Sequence, residues 1–220
     1  MSVINLKFWN KSNDVSQSKV VIFQKQVNPD YNEDTIAWIV IQYCGKGDYH
    51  PFTYNTDLEV SASDSYGNYT PQLNASPGQQ FEVKEAPSGH VLTYKGPGTN
   101  KDEVQVLNAL SMGAINVYCY RSGKLLAQKL NVVPSEMAVF EFLPRIFIGV
   151  LTEVQEGEVM NSAVVSQVNT ELSLLGLKSA DIVMRGGGSG KEAVPFTFDL
   201  ENLVMAEGAE TSSHNGNESI

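Results

Sequence analysis

Apolar and polar residues alternate one by one along much of this chain, and that period restricts what it can fold into. Segments 58–63 and 115–120 place apolar residues at every second position, and shorter stretches repeat the pattern around 81–83, 138–142 and 196–200. This spacing puts one set of side chains on a buried sheet face and the other set in water. Half-buried strands of this kind are typical of antiparallel sheets.

Three segments depart from the alternation. Two apolar runs, 36–41 and 146–151, are unbroken, so we expect them to be covered on both faces, at the centre of a sandwich or inside an oligomer. Segment 163–175 fits the spacing of a short helix, although its second half also reads as a strand. The sequence therefore predicts an all-β fold, an antiparallel β-sandwich with at most one short helix.

The sequence indicates one boundary between a folded domain and a tail. From residue 206 onward it is polar and aperiodic, with too few apolar side chains to offset the entropy lost on ordering. We expect residues 206–220 to form a disordered tail and residues 1–205 to form a single β-sandwich domain. The unbroken apolar runs, together with outward-facing Tyr118 and Tyr120, also predict self-association, most simply as a homodimer.

The charge balance restricts the partners. Lys and Arg number 15 against 25 Asp and Glu, which gives a formal net charge of −10, and the basic residues are scattered. Phosphate backbones are therefore disfavoured as ligands, and so are anionic membranes. No signal-peptide pattern is present, and no apolar run reaches the roughly 20 residues that a membrane span needs. We expect an acidic cytoplasmic protein that binds no nucleic acid.

No catalytic motif is complete. Segment 181–191 runs into a glycine-rich stretch ending in Gly-Lys, but Arg185 stands where a phosphate-binding loop needs its first glycine. A hairpin loop is the expected structure. Cys44 and His50 lie six residues apart, and no third group orients them for nucleophilic catalysis. An enzyme built on His50 and nearby aspartates remains a hypothesis, whereas the pattern favours a protein without catalytic activity.

Six of the nine tyrosines lie between Tyr31 and Tyr69, in a segment that Gly and Pro interrupt repeatedly. Polar-tipped aromatic residues on loops are typical of recognition sites. A ligand pocket, an oligomer interface and plain surface all fit this segment, and we expect a pocket for a small apolar or aromatic ligand. The expected ligand-binding residues are Trp38, His50, Phe52, Tyr54, Tyr66 and Met160.

A cation site is the second expectation for this segment. Asp64 and Asn68 flank Gly67 in a stretch rich in side-chain oxygens, which are the ligands that Mg²⁺ and Ca²⁺ take. Asp-Ser-Tyr-Gly is also the sequence of an ordinary turn. A magnesium or calcium site at Asp64 and Asn68 and a simple turn both remain open.

Segments 21–25, 47–54 and 61–71 are similar to small cytoplasmic β proteins of microbes and fungi. Within that group the chain resembles mushroom chromoproteins in its size and acidity. The resemblance implies a bound small aromatic chromophore, a pigment, and no turnover. It identifies no functional residue.

The alternative is a recognition protein of lectin-like or membrane-interacting type. Such a protein would present Trp9, Tyr66 and Tyr69 outward and bind sugars or lipid head groups. An exposed aromatic patch would distinguish it from a pocket protein.

Overall fold

The computed structural model describes residues 3–14, 18–27 and 34–207, and strands make up most of them. One α-helix, α1 (Ser162–Gln167), and one 3₁₀ turn (Gly190–Glu192) are present in these ranges. The strands are β1 (Val3–Asn10), β2 (Lys19–Phe23), β3 (Thr35–Ile36), β4 (Ile39–Ile41), β5 (Tyr49–Asn55), β6 (Leu58–Ser63), β7 (Leu73–Ala75), β8 (Gln79–Ala86), β9 (Gly89–Pro97), β10 (Val104–Asn108), β11 (Ile115–Arg121), β12 (Lys124–Val132), β13 (Met137–Phe140), β14 (Arg145–Leu151), β15 (Val159–Met160), β16 (Thr170–Ser173), β17 (Leu177–Gly187) and β18 (Val194–Met205).

The strands form four sheets of four strands each, and β15 pairs with β3 separately. Sheet I has the order β18-β17-β1-β5, and sheet II has the order β16-β14-β2-β4. Sheet III has the order β12-β11-β6-β7, and sheet IV has the order β13-β10-β8-β9. Most pairs are antiparallel, although β1 with β17 and β8 with β10 are parallel. The predicted all-β sandwich with one short helix is confirmed.

The connections separate the chain into a framework and an insertion. Residues 58–140 build sheets III and IV, whereas sheets I and II come from the strands before residue 56 and after residue 144. We call residues 58–140 the inserted unit and the rest the framework. One cluster of buried apolar side chains nevertheless includes residues of all four sheets. The single domain over residues 1–205 stays a prediction, and most of the predicted tail, residues 208–220, lies outside the described residues.

The two unbroken apolar runs behave differently. The run 146–151 lies in β14, which is an interior strand between β16 and β2, as expected. The run 36–41 is divided between β3 and β4, and β4 is the last strand of sheet II. The division falls at Ala37 and Trp38, whose side chains are buried in two different apolar clusters. Because these neighbours face separate cores, one straight central strand does not form.

The ambiguous segment 163–175 contains both predicted structures in succession. Helix α1 begins after Asn161, whose side chain accepts a hydrogen bond from the backbone N–H of Val164 at 2.9 Å. Strand β16 follows it and pairs with β14. Within the described residues, no helix combines the length and the apolar character that a membrane crossing requires.

The glycine-rich segment 181–191 forms a hairpin, as expected. Strands β17 and β18 pair antiparallel on either side of the 3₁₀ turn. The Ser-Gly pairs at Ser88 and Ser122 form two further hairpin turns, between β8 and β9 and between β11 and β12.

Candidate functional site

The aromatic residues predicted to wall a pocket pack mostly on one another. The ring of Trp38 meets Phe52 and Tyr54 edge-on, with centroids 6.4 and 6.1 Å apart. Trp38 is 0% exposed and Tyr54 is 2% exposed, whereas Phe52 is half-buried. The two most enclosed members of this group are therefore part of the core.

The other three predicted ligand-binding residues do not take part in this ring packing. His50 is exposed near the start of β5, and Tyr66 is 90% exposed in the turn after β6. Met160 is buried in the smaller apolar cluster, together with Phe23 and Phe147. The structure thus does not bring all six residues together.

Three of the six do meet at one hollow of about 260 Å³. Trp38, His50 and Phe52 lie on its framework side, and Ser122 and Lys124 lie on the side of the inserted unit. The hydroxyl oxygen of Ser122 is buried and has no hydrogen-bond partner among the described residues. We call this space the junction hollow.

The predicted cation ligands do lie side by side. The Asp64 carboxylate accepts hydrogen bonds from the backbone N–H groups of Tyr66 and Asn68 and from the Asn68 side-chain amide, at 2.8 to 2.9 Å. These hydrogen bonds, those from Asn68 first, lower the pKa of Asp64. No cluster of three His, Cys, Asp or Glu suited to a metal is found in the described ranges. The magnesium or calcium site stays a prediction.

Three tyrosines of the inserted unit, Tyr69, Tyr118 and Tyr120, lie together on the outer face of sheet III. Tyr118 donates or accepts a hydrogen bond with Ser63 at 3.3 Å, and Tyr120 makes the equivalent contact with Ser61. Tyr69 packs against Tyr118 with ring centroids 5.4 Å apart. Both strand tyrosines are half-buried within the chain, and the homodimer stays a prediction.

A large hollow lies on the outer face of sheet I. In β1, the even-numbered residues from Ile4 to Phe8 enter the core, so the odd-numbered residues face outward. Asn5 is opposite Thr53 on one side and Ser179 on the other. A hollow of about 440 Å³ follows this face and is lined on its polar side by Asn5, Lys7, Thr53, Ser179, Asp181 and Asn202. We call it hollow A.

Two aromatic residues stand beside hollow A on the same sheet face. Trp9 and Tyr49 are opposite each other in β1 and β5, and their ring centroids are 4.8 Å apart. The ammonium group of Lys7 lies 5.6 Å from the Trp9 ring and 5.2 Å from the Tyr49 ring, where the electron-rich ring faces attract it. The indole N–H of Trp9 is buried and has no partner among the described residues.

A second hollow, of about 460 Å³, borders the aromatic pair. Trp9 and Tyr49 line it together with Tyr43, Asp48 and His50. We call it hollow B. Tyr49 is 55% exposed and Tyr43 is 85% exposed, so this end of the face presents aromatic rings to solvent.

Comparisons with protein-family models, with curated proteins and with solved structures find no match. The resemblance to mushroom chromoproteins therefore stays a prediction. The site has to be interpreted from its own geometry.

The sequence predicted an outward-facing Trp9 only for the alternative, a lectin-like or membrane-interacting recognition protein. It did not predict that the polar residues of hollow A belong to a site. The alternation in β1 is enough to predict that Asn5 and Lys7 face outward, because it has the same period of two as the other half-buried strands. Ser179 and Asp181 reach the same face through the parallel pairing of β1 with β17. Nothing local in the sequence indicates that pairing.

The two free cysteines differ in the accessibility of their thiols. Burial raises the pKa of the Cys119 thiol to about 12, and burial followed by nearby Asp48 raises the pKa of Cys44, which is only half-buried. We expect a disulfide reagent at pH 8 to label Cys44 slowly and Cys119 only after unfolding. Absorbance of the released thiolate measures both rates, and Cys44→Ser isolates Cys119. Fast labelling of native Cys119 would contradict the packing of sheet III.

The Cys119 thiol also predicts a pH effect. The folded chain holds this proton more tightly than the unfolded chain does. The protonated Cys119 thiol therefore contributes its full share of stability below the pKa of an unfolded thiol, about 8.5. This contribution is lost as the pH rises from there towards the pKa of the thiol in the folded chain.

Proposed function

We propose that this protein is a non-enzymatic, lectin-like recognition protein that binds a saccharide on the outer face of sheet I. The observation that carries the proposal is the contact between half-buried Trp9 and exposed Tyr49, with a polar hollow beside them. A sugar ring has apolar C–H faces and a rim of hydroxyl groups. Aromatic rings pack against the faces, and a few fixed polar side chains orient the rim.

The polar groups of hollow A suit hydroxyl groups, which both donate and accept. Lys7 supplies a donor, Asp181 supplies acceptors, and Asn5 and Asn202 supply both. The Asp181 carboxylate is held in place by the side-chain amide of Asn202, which donates to it at 2.7 Å. A site whose polar groups are fixed before binding loses less entropy when the ligand arrives.

A second candidate function is the binding of a small aromatic ligand, such as a pigment, in the junction hollow. It is favoured by the meeting of Trp38, His50 and Phe52 there and by the unpartnered Ser122 hydroxyl. The volume of about 260 Å³ suits one small ring system. We rank it second because Trp38 is 0% exposed and offers little surface to a ligand.

Trp9→Ala is the test of the saccharide proposal. We expect it to weaken binding to neutral oligosaccharides by roughly tenfold or more, which corresponds to the loss of about 1.4 kcal/mol of contact energy. Glycan-array screening followed by titration calorimetry measures the effect.

Tyr66→Ala is the matched control, because Tyr66 is a highly exposed tyrosine on the turn of a different sheet. It should leave binding unchanged. If the Trp9 variant folds normally and binds every glycan as well as the unaltered protein does, the proposal is wrong. An absorption spectrum of protein from its natural source tests the second candidate, since a retained pigment would absorb in the visible range.

A further inference from the structure

Hollows A and B border neighbouring stretches of the same two strands. Strands β1 and β5 line both of them: residues 5–7 and 51–53 border hollow A, and Trp9 and Tyr49 border hollow B. Trp9 lies four positions after Asn5, about 13 Å along an extended strand. A surface that includes both residues is longer than one sugar ring.

Lys7 lies between hollow A and the aromatic pair. It lines hollow A, while its ammonium group lies above the two rings that line hollow B. Its neighbour on β17 is Asp181, yet no ion pair of Lys7 is found among the described residues. The Lys7 ammonium group therefore retains donors for a ligand that passes from one hollow to the other.

The charges along this surface argue for an uncharged ligand. Asp181 borders hollow A and Asp48 borders hollow B, against the single ammonium group of Lys7. The whole chain carries −10. A polyanion would meet both carboxylates at close range, where like charges repel.

We propose that the outer face of sheet I binds an extended, neutral polysaccharide chain that occupies both hollows and crosses the Lys7–Trp9–Tyr49 cluster between them. The inference rests on the proposed function and adds the ligand's length and charge. Each hollow takes one stretch of the chain, and the aromatic pair supports the sugar ring between them. Linking the two stretches makes the second contact intramolecular, so affinity rises with chain length.

The experiment is a titration of the full chain with neutral gluco-oligosaccharides of increasing length, from glucose to the hexasaccharide, in β-1,4-linked and α-1,4-linked series. We expect the hexasaccharide to bind at least tenfold more tightly than the disaccharide. Oligogalacturonides of matched length, which carry carboxylates, should bind at least tenfold more weakly than the better neutral series.

Variants separate the two hollows. Asn202→Ala changes hollow A and Tyr43→Ala changes hollow B. Both residues are exposed and have a positive φ, so urea denaturation checks that each variant is folded before binding is measured. Each should lower the affinity for the hexasaccharide severalfold and flatten its dependence on chain length. Lys7→Met removes the ammonium group and keeps an unbranched side chain, and it should weaken binding of the hexasaccharide more than binding of the disaccharide.

The outcomes separate this inference from the proposed function. Equal affinity for short and long neutral chains would overturn the extended site and leave saccharide binding in place. Tighter binding of the oligogalacturonides would overturn the inference that the ligand is uncharged. Failure of these oligosaccharides and of every glycan on the array to bind would overturn both the inference and the proposed function.

Discussion

Replacing Arg121 by alanine is expected to lower the free energy of unfolding by about 3 kcal/mol, through a buried cavity and a lost hydrogen bond. Arg121 is 2% exposed at the end of β11. Its guanidinium group donates to the backbone carbonyl of Asn55 and lies 4.3 Å from the ring of Tyr54. The backbone carbonyl of Arg121 accepts a hydrogen bond from the indole N–H of Trp38 at 3.1 Å. One residue of the inserted unit thus joins three residues of the framework.

The charge of Arg121 works against part of this stabilisation. Burial lowers the pKa of Arg121, and Tyr54 is the first of the neighbours that oppose the shift. No salt bridge of Arg121 is present among the described residues, and its Nε atom lacks a partner there. Arg121→Met keeps the side-chain volume and removes the buried charge, so it should cost less than alanine does, about 1 kcal/mol.

Urea denaturation followed by circular dichroism measures these differences. Arg185→Ala is the matched control, since Arg185 is half-exposed and pairs with Asp199 and Glu201 at 3.8 and 2.5 Å. Surface pairs of that kind contribute at most about 1 kcal/mol. If the Arg121 and Arg185 variants lose the same stability, Arg121 does not hold the inserted unit to the framework.

The sequence predicted the class of the fold because alternation is a local property. In β11, Ile115, Val117 and Cys119 are buried and the residues between them are half-buried, as the period requires. The same rule predicts which face of β1 enters the core. The insertion of residues 58–140 is not local, because it depends on β5 and β14 belonging to the same framework although 89 residues separate them. No pattern within either strand carries that information.

The candidate site was harder to predict for a related reason. Trp38 and Tyr66 were assigned to one site because both lie within the tyrosine-rich segment, yet Trp38 is buried in the core and Tyr66 is 90% exposed. An aromatic side chain suits a core and a binding surface equally well, so residue type alone does not distinguish them. The site we propose combines residues 5–9 with residues 179–181, and only the parallel pairing of β1 with β17 brings these together.

Gly186→Ala is expected to cost about 3 to 5 kcal/mol of stability, through backbone strain and overpacking together. Gly186 has a φ of +88°, in the left-handed region that residues with a Cβ avoid. A Cβ atom there would lie 2.0 Å from the carbonyl oxygen of Pro195 in the paired strand β18. Because the obstacle is backbone rather than a flexible side chain, the β17–β18 hairpin itself must move.

Gly47→Ala separates the two causes of this cost. Gly47 has nearly the same φ, +89°, and its added Cβ would meet nothing within 4 Å. Its cost should be the conformational strain alone, about 1 kcal/mol. Thermal and urea unfolding measure the free energy of unfolding of both variants. The difference between the two is the cost of the clash between the added Cβ and β18. If the two substitutions cost the same, the hairpin accommodates a side chain at Gly186 and its close pairing is not needed for stability. If Gly186→Ala is too unstable to purify while Gly47→Ala folds normally, the clash is larger than the strain, as the geometry requires.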